Sequence, residues 1–179
     1  MAIVAFLRGV NVGGHRTFRP AALARDLEHL GAVNIGAAGT FVFRSAMTSA
    51  ELRAELTRRL PFEADMAICR GRDVARLIAR DPFAEELVQQ DVIRFVNVLC
   101  GRLRREPDLP LSIPSDGEWV LQVLGRQGRF VFGRYRRRMK AIAHLATVDT
   151  LFGIPSTNRS WTTILAVGRA LGSCPYSGR

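Results

Sequence analysis

Lysine is nearly absent from this chain, and acidic residues are nearly absent from its last third. Lys140 is the one lysine among 26 basic residues. Residues 1–118 hold 16 basic and 15 acidic residues, whereas residues 119–179 hold ten basic residues and one acidic residue, so most of the net charge of +10 lies in the last third. Such a block can attract nucleic acid, acidic lipid or phosphorylated ligands. The alternative is that the arginine excess reflects the base composition of the genome and is merely solvated.

Long hydrophobic runs and spaced metal ligands are missing as well. No segment reaches the roughly 18 continuous apolar residues of a membrane helix, and the apolar run 3–7 is too short for a signal peptide. The chain has three cysteines, with no C-x-x-C pair, and three scattered histidines. These residues do not have the spacing of zinc ligands. Apolar residues still make up 47% of the chain, enough for a core without disulfides. We therefore expect a globular cytoplasmic protein without metal, cofactor or membrane contact.

The first seventy residues have the pattern of a split βαβ unit. Apolar runs predict strands at 3–7, 33–36, 40–44 and 64–69. One helix is predicted from Pro20 through Leu23, Leu27 and Leu30, and a second is predicted to open at the capping box Thr48-x-x-Glu51. The order β-α-β-β-α-β indicates an α+β fold with a ferredoxin-like first half.

The second half is predicted to be a degenerate version of the first. A helix over 73–80 ends before Asp81-Pro82, which divides the chain into subdomains 1–81 and 82–179. The later elements are expected in this order: a strand at 92–100, mostly loop at 101–117, a hairpin of 119–124 and 130–133 around 125–128, a helix over about 137–151, and a last helix from near Arg159 to near Gly172.

Two motifs are similar to those of a known bacterial family. The first is Leu7-Arg8-Gly9-Val10-Asn11-Val12-Gly13-Gly14-His15, and the second is Pro155-Ser156-Thr157-Asn158-Arg159-Ser160-Trp161-Thr162-Thr163-Ile164. Both resemble motifs of domain-of-unknown-function family 1697. The resemblance implies an α+β fold of two related halves and no established activity. It also marks departures, because the family's polar Gln-Ser-Gly-Asn turn is Ala37-Ala38-Gly39-Thr40 here, and Met139, Ser160 and Thr162 stand where the family has Ser, Asn and Asn.

The glycine-rich loop is the first candidate ligand site. It follows a strand and precedes a helix, where backbone N–H groups can cradle an anion. Its candidate residues are Arg8, Gly9, Asn11, Gly13 and Gly14. The loop does not match a P-loop or G-x-G-x-x-G. The alternative is that these glycines only supply positive φ in a turn.

Two groups of basic residues complete the candidates. Lys140 and Arg159 can pair with a phosphate, with Trp161 as a stacking face and Thr163 beside it. The alternative is structural, since a tryptophan is more often a large core residue and Arg159 would then be a surface residue. The densest positive run is predicted at a helix start, where it opposes the helix dipole and would favour an anionic partner such as nucleic acid. That run comprises Arg134, Arg136, Arg137, Arg138 and Lys140, with Tyr135 among them, and the alternative is a solvated helix start without a partner.

Three hypotheses about function remain open from the sequence. The first is a binding protein for nucleic acid or a phosphorylated small molecule, based on the glycine loop and the basic C-terminal third. The second is a small-molecule enzyme whose site lies between the two halves. The third is an interaction module without a ligand. No catalytic residue can be assigned, because no base, nucleophile and orienting group occur in a recognisable pattern.

Overall fold

Two antiparallel sheets, each with its own helices, organise the chain in the computed structural model. The structure describes residues 2–11, 18–85, 89–137 and 144–172. Two compact units are formed: Met1–Arg80 with Thr162–Arg179, and Asp81–Trp161. The predicted α+β class is confirmed.

The first unit is built on a four-stranded sheet. Its elements are, in chain order, β1 (Ile3–Leu7), α1 (Pro20–Asp26), a 3-10 helix (Glu28–Leu30), β2 (Val33–Asn34), β3 (Thr40–Phe43), α2 (Ser49–Arg59), β4 (Met66–Arg70) and α3 (Gly71–Arg80). The strands lie in the order β2-β3-β1-β4, and all neighbours are antiparallel. Because β2 has only two residues and a 3-10 helix follows α1, the finer ferredoxin-like description stays a prediction.

Local signals in the sequence account for the helix ends of this unit. Pro20 begins α1, and Gly31 ends the following 3-10 helix in the left-handed conformation. The capping box forms as predicted, since Glu51 N–H donates to Thr48 Oγ1 and Thr48 N–H donates to a Glu51 carboxylate oxygen. Below the sheet, Phe41 packs in a core of apolar side chains that includes Phe43, Leu52, Leu56, Leu27 and Leu23.

The second unit is built on a five-stranded sheet. Its elements are β5 (Val92–Leu99), β6 (Leu111–Ile113), β7 (Leu121–Gln127), β8 (Phe130–Arg136), α4 (Thr147–Phe152) and β9 (Ser156–Ser160), and α5 (Trp161–Leu171) follows at once. The strand order is β6-β7-β8-β5-β9, again antiparallel. One face packs on α4 through Phe95, Leu121, Val131, Val148 and Phe152. From Thr162 onward α5 belongs to the first unit.

Two predictions for the second half are wrong in position, whereas the segment 101–117 is mostly loop, as predicted. It contains one short strand, β6, which pairs with β7 and whose sequence pattern is weak because the strand is short and flanked by prolines. Residues 156–160 form β9 against β5, so the last helix begins at Trp161 and not near Arg159. The hairpin turns at Gly128-Arg129, while Gly125 lies inside β7 beside a bulge.

The basic run does not begin a helix where the structure describes it. Arg134 and Arg136 lie in β8, and Arg137 follows the strand end. The argument from the helix dipole therefore does not apply to these three arginines. Residues 138–143 of the predicted helix lie outside the described residues, and α4 ends at Gly153 in the left-handed conformation. Among the described residues, no helix has both the length and the apolar character needed to cross a membrane.

Candidate functional site

Three arginines converge on one face of the five-stranded sheet. Arg94 in β5 lies directly opposite Arg134 in β8, and directly opposed residues share a face. Arg136 lies two residues beyond Arg134 on the same strand and therefore points to the same side. We call Arg94, Arg134 and Arg136 the arginine surface. All three side chains are half-buried, and the exposed Arg137 follows at the strand end.

Aromatic rings lie beneath these guanidinium groups. The Cζ atoms of Arg134 and Arg136 are 5.0 and 4.7 Å from the ring centroid of Trp119. Arg94 Cζ lies 5.6 Å from the centroid of Phe83. These distances are within the cation–π range, so each ring orients a planar cation and lowers the entropy that the arginine would lose on binding.

A polar network holds the arginine surface in place. Arg134 Nε donates to Gln122 Oε1 at 2.7 Å, and Gln122 Nε2 donates to Ser112 Oγ at 2.9 Å. Arg136 Nη1 donates to Asp91 at 2.7 Å, and its Nε lies 3.5 Å from Glu118. Both carboxylates are 57% exposed, so they form an acidic border on the side of Arg136.

Tyr135 is not part of this surface, although the sequence places it within the basic run. It lies between Arg134 and Arg136 in β8 and therefore faces the opposite side of the sheet, where it packs against the core. Its ring centroid is 6.0 Å from that of Phe95, and burial raises the pKa of its hydroxyl. The aromatic partner of Arg134 and Arg136 is Trp119, which sequence reasoning missed.

Arg159 and Trp161 lie in the interior rather than on a surface. The Arg159 side chain in β9 is only 6% exposed, and its Nη1 donates to Thr157 Oγ1 at 2.7 Å and to the Asn158 carbonyl at 2.6 Å. Burial lowers the pKa of Arg159 to about 10. Trp161 is 8% exposed and packs edge-on against Phe83. We assign neither residue a part in the proposed site.

Other predicted ligand residues are partly outside the described chain. Gly13, Gly14, Arg138 and Lys140 lie outside the described residues. Thr163 is half-buried on α5.

The described part of the glycine loop is held by the chain itself. Asn11, at φ 55°, donates from Nδ2 to the Ala37 carbonyl at 2.9 Å and accepts from the Phe18 N–H at 2.9 Å, which ties both ends of the loop. Arg8 forms a 3.5 Å ion pair with Asp65. Gly9 is exposed at φ 64°. A cavity of about 430 Å³ opens beside this pair, lined by Thr57, Phe62, Glu63, Ala64 and Asp65. An anion-binding role for the loop stays a prediction.

A buried chain of hydrogen bonds also escaped sequence reasoning. Asn158 Nδ2 donates to Asn97 Oδ1 at 2.6 Å, and Asn97 Nδ2 donates to Ser156 Oγ at 2.8 Å. Ser156 donates from Oγ and from its backbone N–H to Asp149 Oδ1, at 2.6 and 2.8 Å. Because Asn97 and Ser156 are 2% and 6% exposed, this network joins β5, β9 and α4 and is not open to a substrate.

The sequence did contain a weak signal for the arginine surface. Arg134 and Arg136 alternate with Tyr135, the period of a strand, whereas a helix start has no such period. The pairing with Arg94 and the contact with Trp119 join residues distant in sequence, so no local pattern marks them.

Comparison with known proteins relates the chain to one family of unknown function and to a solved structure. No curated protein matches the chain. A solved structure titled as the conserved bacterial protein SP0830 from Streptococcus pneumoniae is similar, with a TM-score of 0.59 and 16% identity over 95% of this chain and 98% of that chain. At this identity the likeness supports the fold alone. The model of a family described as "Protein of unknown function (DUF1697)" matches residues 1–109, which is more than half of the chain. The chain therefore belongs to the DUF1697 family.

Proposed function

We propose that the protein binds a phosphate-bearing anionic partner through the arginine surface. The observation that carries this proposal is the convergence of Arg94, Arg134 and Arg136 on one sheet face above aromatic rings. A planar guanidinium offers two parallel N–H donors that match the oxygens of a phosphate. Such pairs supply charge and also fix the position of the anion.

The charge of the surrounding chain supports the same partner. Residues 119–179 contain ten basic residues and one acidic residue and carry a net positive charge, which Asp91 and Glu118 partly neutralise beside Arg136. Arg137 extends the positive surface at the end of β8, and its side chain is exposed. An anion approaching the sheet is therefore attracted before it contacts the arginine surface.

A binding titration across a salt series tests the proposal. The probe is a short fluorescein-labelled polyphosphate chain, followed by fluorescence anisotropy between about 50 and 200 mM salt. We expect log affinity to fall linearly with log salt. The Arg94→Gln/Arg137→Gln double variant should bind more weakly, and its salt slope should be lower by about one for each arginine–phosphate pair that the substitutions remove.

The matched control removes the same charge from another part of the chain. Arg72 and Arg76 are exposed on α3, where their described ion pairs are to Asp73. An Arg72→Gln/Arg76→Gln double variant should bind the polyphosphate almost as well as the parent protein. Absence of binding at low salt, or equal weakening in both double variants, would refute a specific role for the arginine surface.

A further inference from the structure

The aromatic rings of Trp119 and Phe83 beneath the arginine surface indicate which kind of phosphate-bearing anion binds there. This inference rests on the function proposed above. Guanidinium groups can bind a phosphate without any aromatic ring beneath them. Here Trp119, half-buried, lies within 5.0 Å of two arginine Cζ atoms, and Phe83 lies 5.6 Å from a third. Flat guanidinium planes supported by rings are surfaces on which nucleic-acid bases stack.

We propose that the partner is a single-stranded nucleic acid, with its phosphates on the arginines and at least one base stacked on the layer formed by Trp119, Arg134 and Arg136. Residues i and i+2 of a β-strand are about 7 Å apart, so Arg134 and Arg136 are separated by this distance along β8. This spacing is close to that of successive phosphates in an extended single-stranded nucleic acid. Arg94 on the neighbouring strand lies about 5 Å from Arg134 at Cα and widens the contact.

The shape and the acidic border disfavour a double helix. Reading a duplex groove requires a helix or a ribbon that projects into it. The arginine surface lies on a sheet face, and its side chains are half-buried. Asp91 and Glu118, both 57% exposed, put negative charge on the Arg136 side, where a second phosphate backbone would be repelled. One line of phosphates fits this charge distribution better than two.

Comparison of three probes at one salt concentration tests this inference. The probes are an unstructured single-stranded RNA, a polyphosphate chain of the same charge, and an RNA duplex. We expect the single strand to bind roughly tenfold more tightly than the polyphosphate, because stacking of one base contributes about that factor. Trp119→Leu should remove this advantage, so that the single strand and the polyphosphate bind with similar affinity; loss of the ring that orients Arg134 and Arg136 should weaken polyphosphate binding less than it weakens single-strand binding.

Tryptophan fluorescence gives a second readout that does not depend on the Trp119 variant folding. The chain has two tryptophans, so Trp161→Phe leaves Trp119 as the single emitter. Base stacking should quench Trp119 emission on addition of the single strand, whereas polyphosphate should not change it. The Trp119→Leu protein, with Trp161 buried, should show little quenching by either probe.

The outcomes separate the two proposals. Equal affinity for single strand and polyphosphate, without quenching, would refute the nucleic-acid partner and leave phosphate binding intact. Tighter binding of the duplex than of the single strand would also refute it. If none of the three probes binds at low salt, the proposed function itself fails.

Discussion

Replacing Gly133 by alanine should destabilise the protein far more than its position on a strand would indicate. Gly133 lies in the middle of β8, paired with Val123 on one side and Phe95 on the other. A Cβ atom there would lie 2.1 Å from the Gln122 carbonyl oxygen and 2.8 Å from the Phe95 ring. The φ of Gly133 lies outside the left-handed region, so the substitution tests space and not backbone preference.

The expected loss of stability in Gly133→Ala follows from the clash between the added Cβ atom and the Gln122 carbonyl oxygen. Bringing the carbonyl from 2.1 Å even to 3.0 Å, the shortest separation that Cβ atoms tolerate, requires β7 and β8 to move apart. Overpacking of a core costs about 1–3 kcal/mol, and each weakened ladder hydrogen bond adds about 1 kcal/mol. We expect a loss of about 3 kcal/mol or more in the free energy of unfolding. For a chain of this size, that lowers Tm by about 6–12 °C.

Urea and thermal unfolding measure this loss, with Gly128→Ala as the matched control. Gly128 has φ 59°, and no atom lies within 4 Å of the place that an alanine methyl group would take, so alanine there meets only backbone strain, about 1 kcal/mol. Adding Phe95→Leu to Gly133→Ala should recover little, because the Gln122 carbonyl is part of the backbone. A Gly133→Ala loss no larger than that of Gly128→Ala would refute the reasoning. Nearly full recovery by Phe95→Leu would do so as well.

Two further substitutions test the cap of α2 and the buried polar network. Thr48→Ala should cost about 1 kcal/mol of stability in urea unfolding. The capping hydrogen bonds lower the pKa of Glu51 below 4.5, so the stabilisation by its carboxylate is present above pH 4.5 and is lost as pH falls through the lowered pKa. The difference in free energy of unfolding between the parent protein and Glu51→Gln should therefore shrink in acid. A difference that does not depend on pH would contradict this role. Asn97→Ala should cost about 2–4 kcal/mol, because it removes the donor to Ser156 Oγ and the acceptor of Asn158 Nδ2, while Ser156 keeps its hydrogen bond to Asp149. Asn158→Ala, at the half-buried end, should cost about 1 kcal/mol, and equal losses would contradict this ordering.

Most of the first unit could be predicted from its sequence because its signals are local. The apolar run of β1, the proline at the start of α1 and the capping box of α2 each act within a few residues. Hydrophobic period and turn residues then determine the order of elements. Gly31 is a local signal of the same kind, since it ends the 3-10 helix in the left-handed conformation, which favours glycine.

The errors in the second unit arose where a strand depends on its partner. Residues 156–160 are polar and match no strand pattern, yet they pair with β5, some sixty positions earlier in the sequence. Gly125 has the composition of a turn residue, but it lies in β7, where the Phe132 ring occupies the space that a side chain would need. A Cβ atom built on Gly125 would lie 2.8 Å from the Phe132 ring. In both cases the preference of the segment is weak, and contacts with distant residues override it.

The sequence by itself determined the α+β class, the family motifs and the concentration of positive charge in the last third. Only the tertiary structure decided where that charge converges. The pairing of β5 with β8 brings Arg94 opposite Arg134, and the sheet places Trp119 beneath Arg134 and Arg136. It also buries Arg159, which the sequence offered as a ligand residue. Charge is a property of composition, whereas convergence and burial depend on strand register between distant segments, which local patterns do not encode.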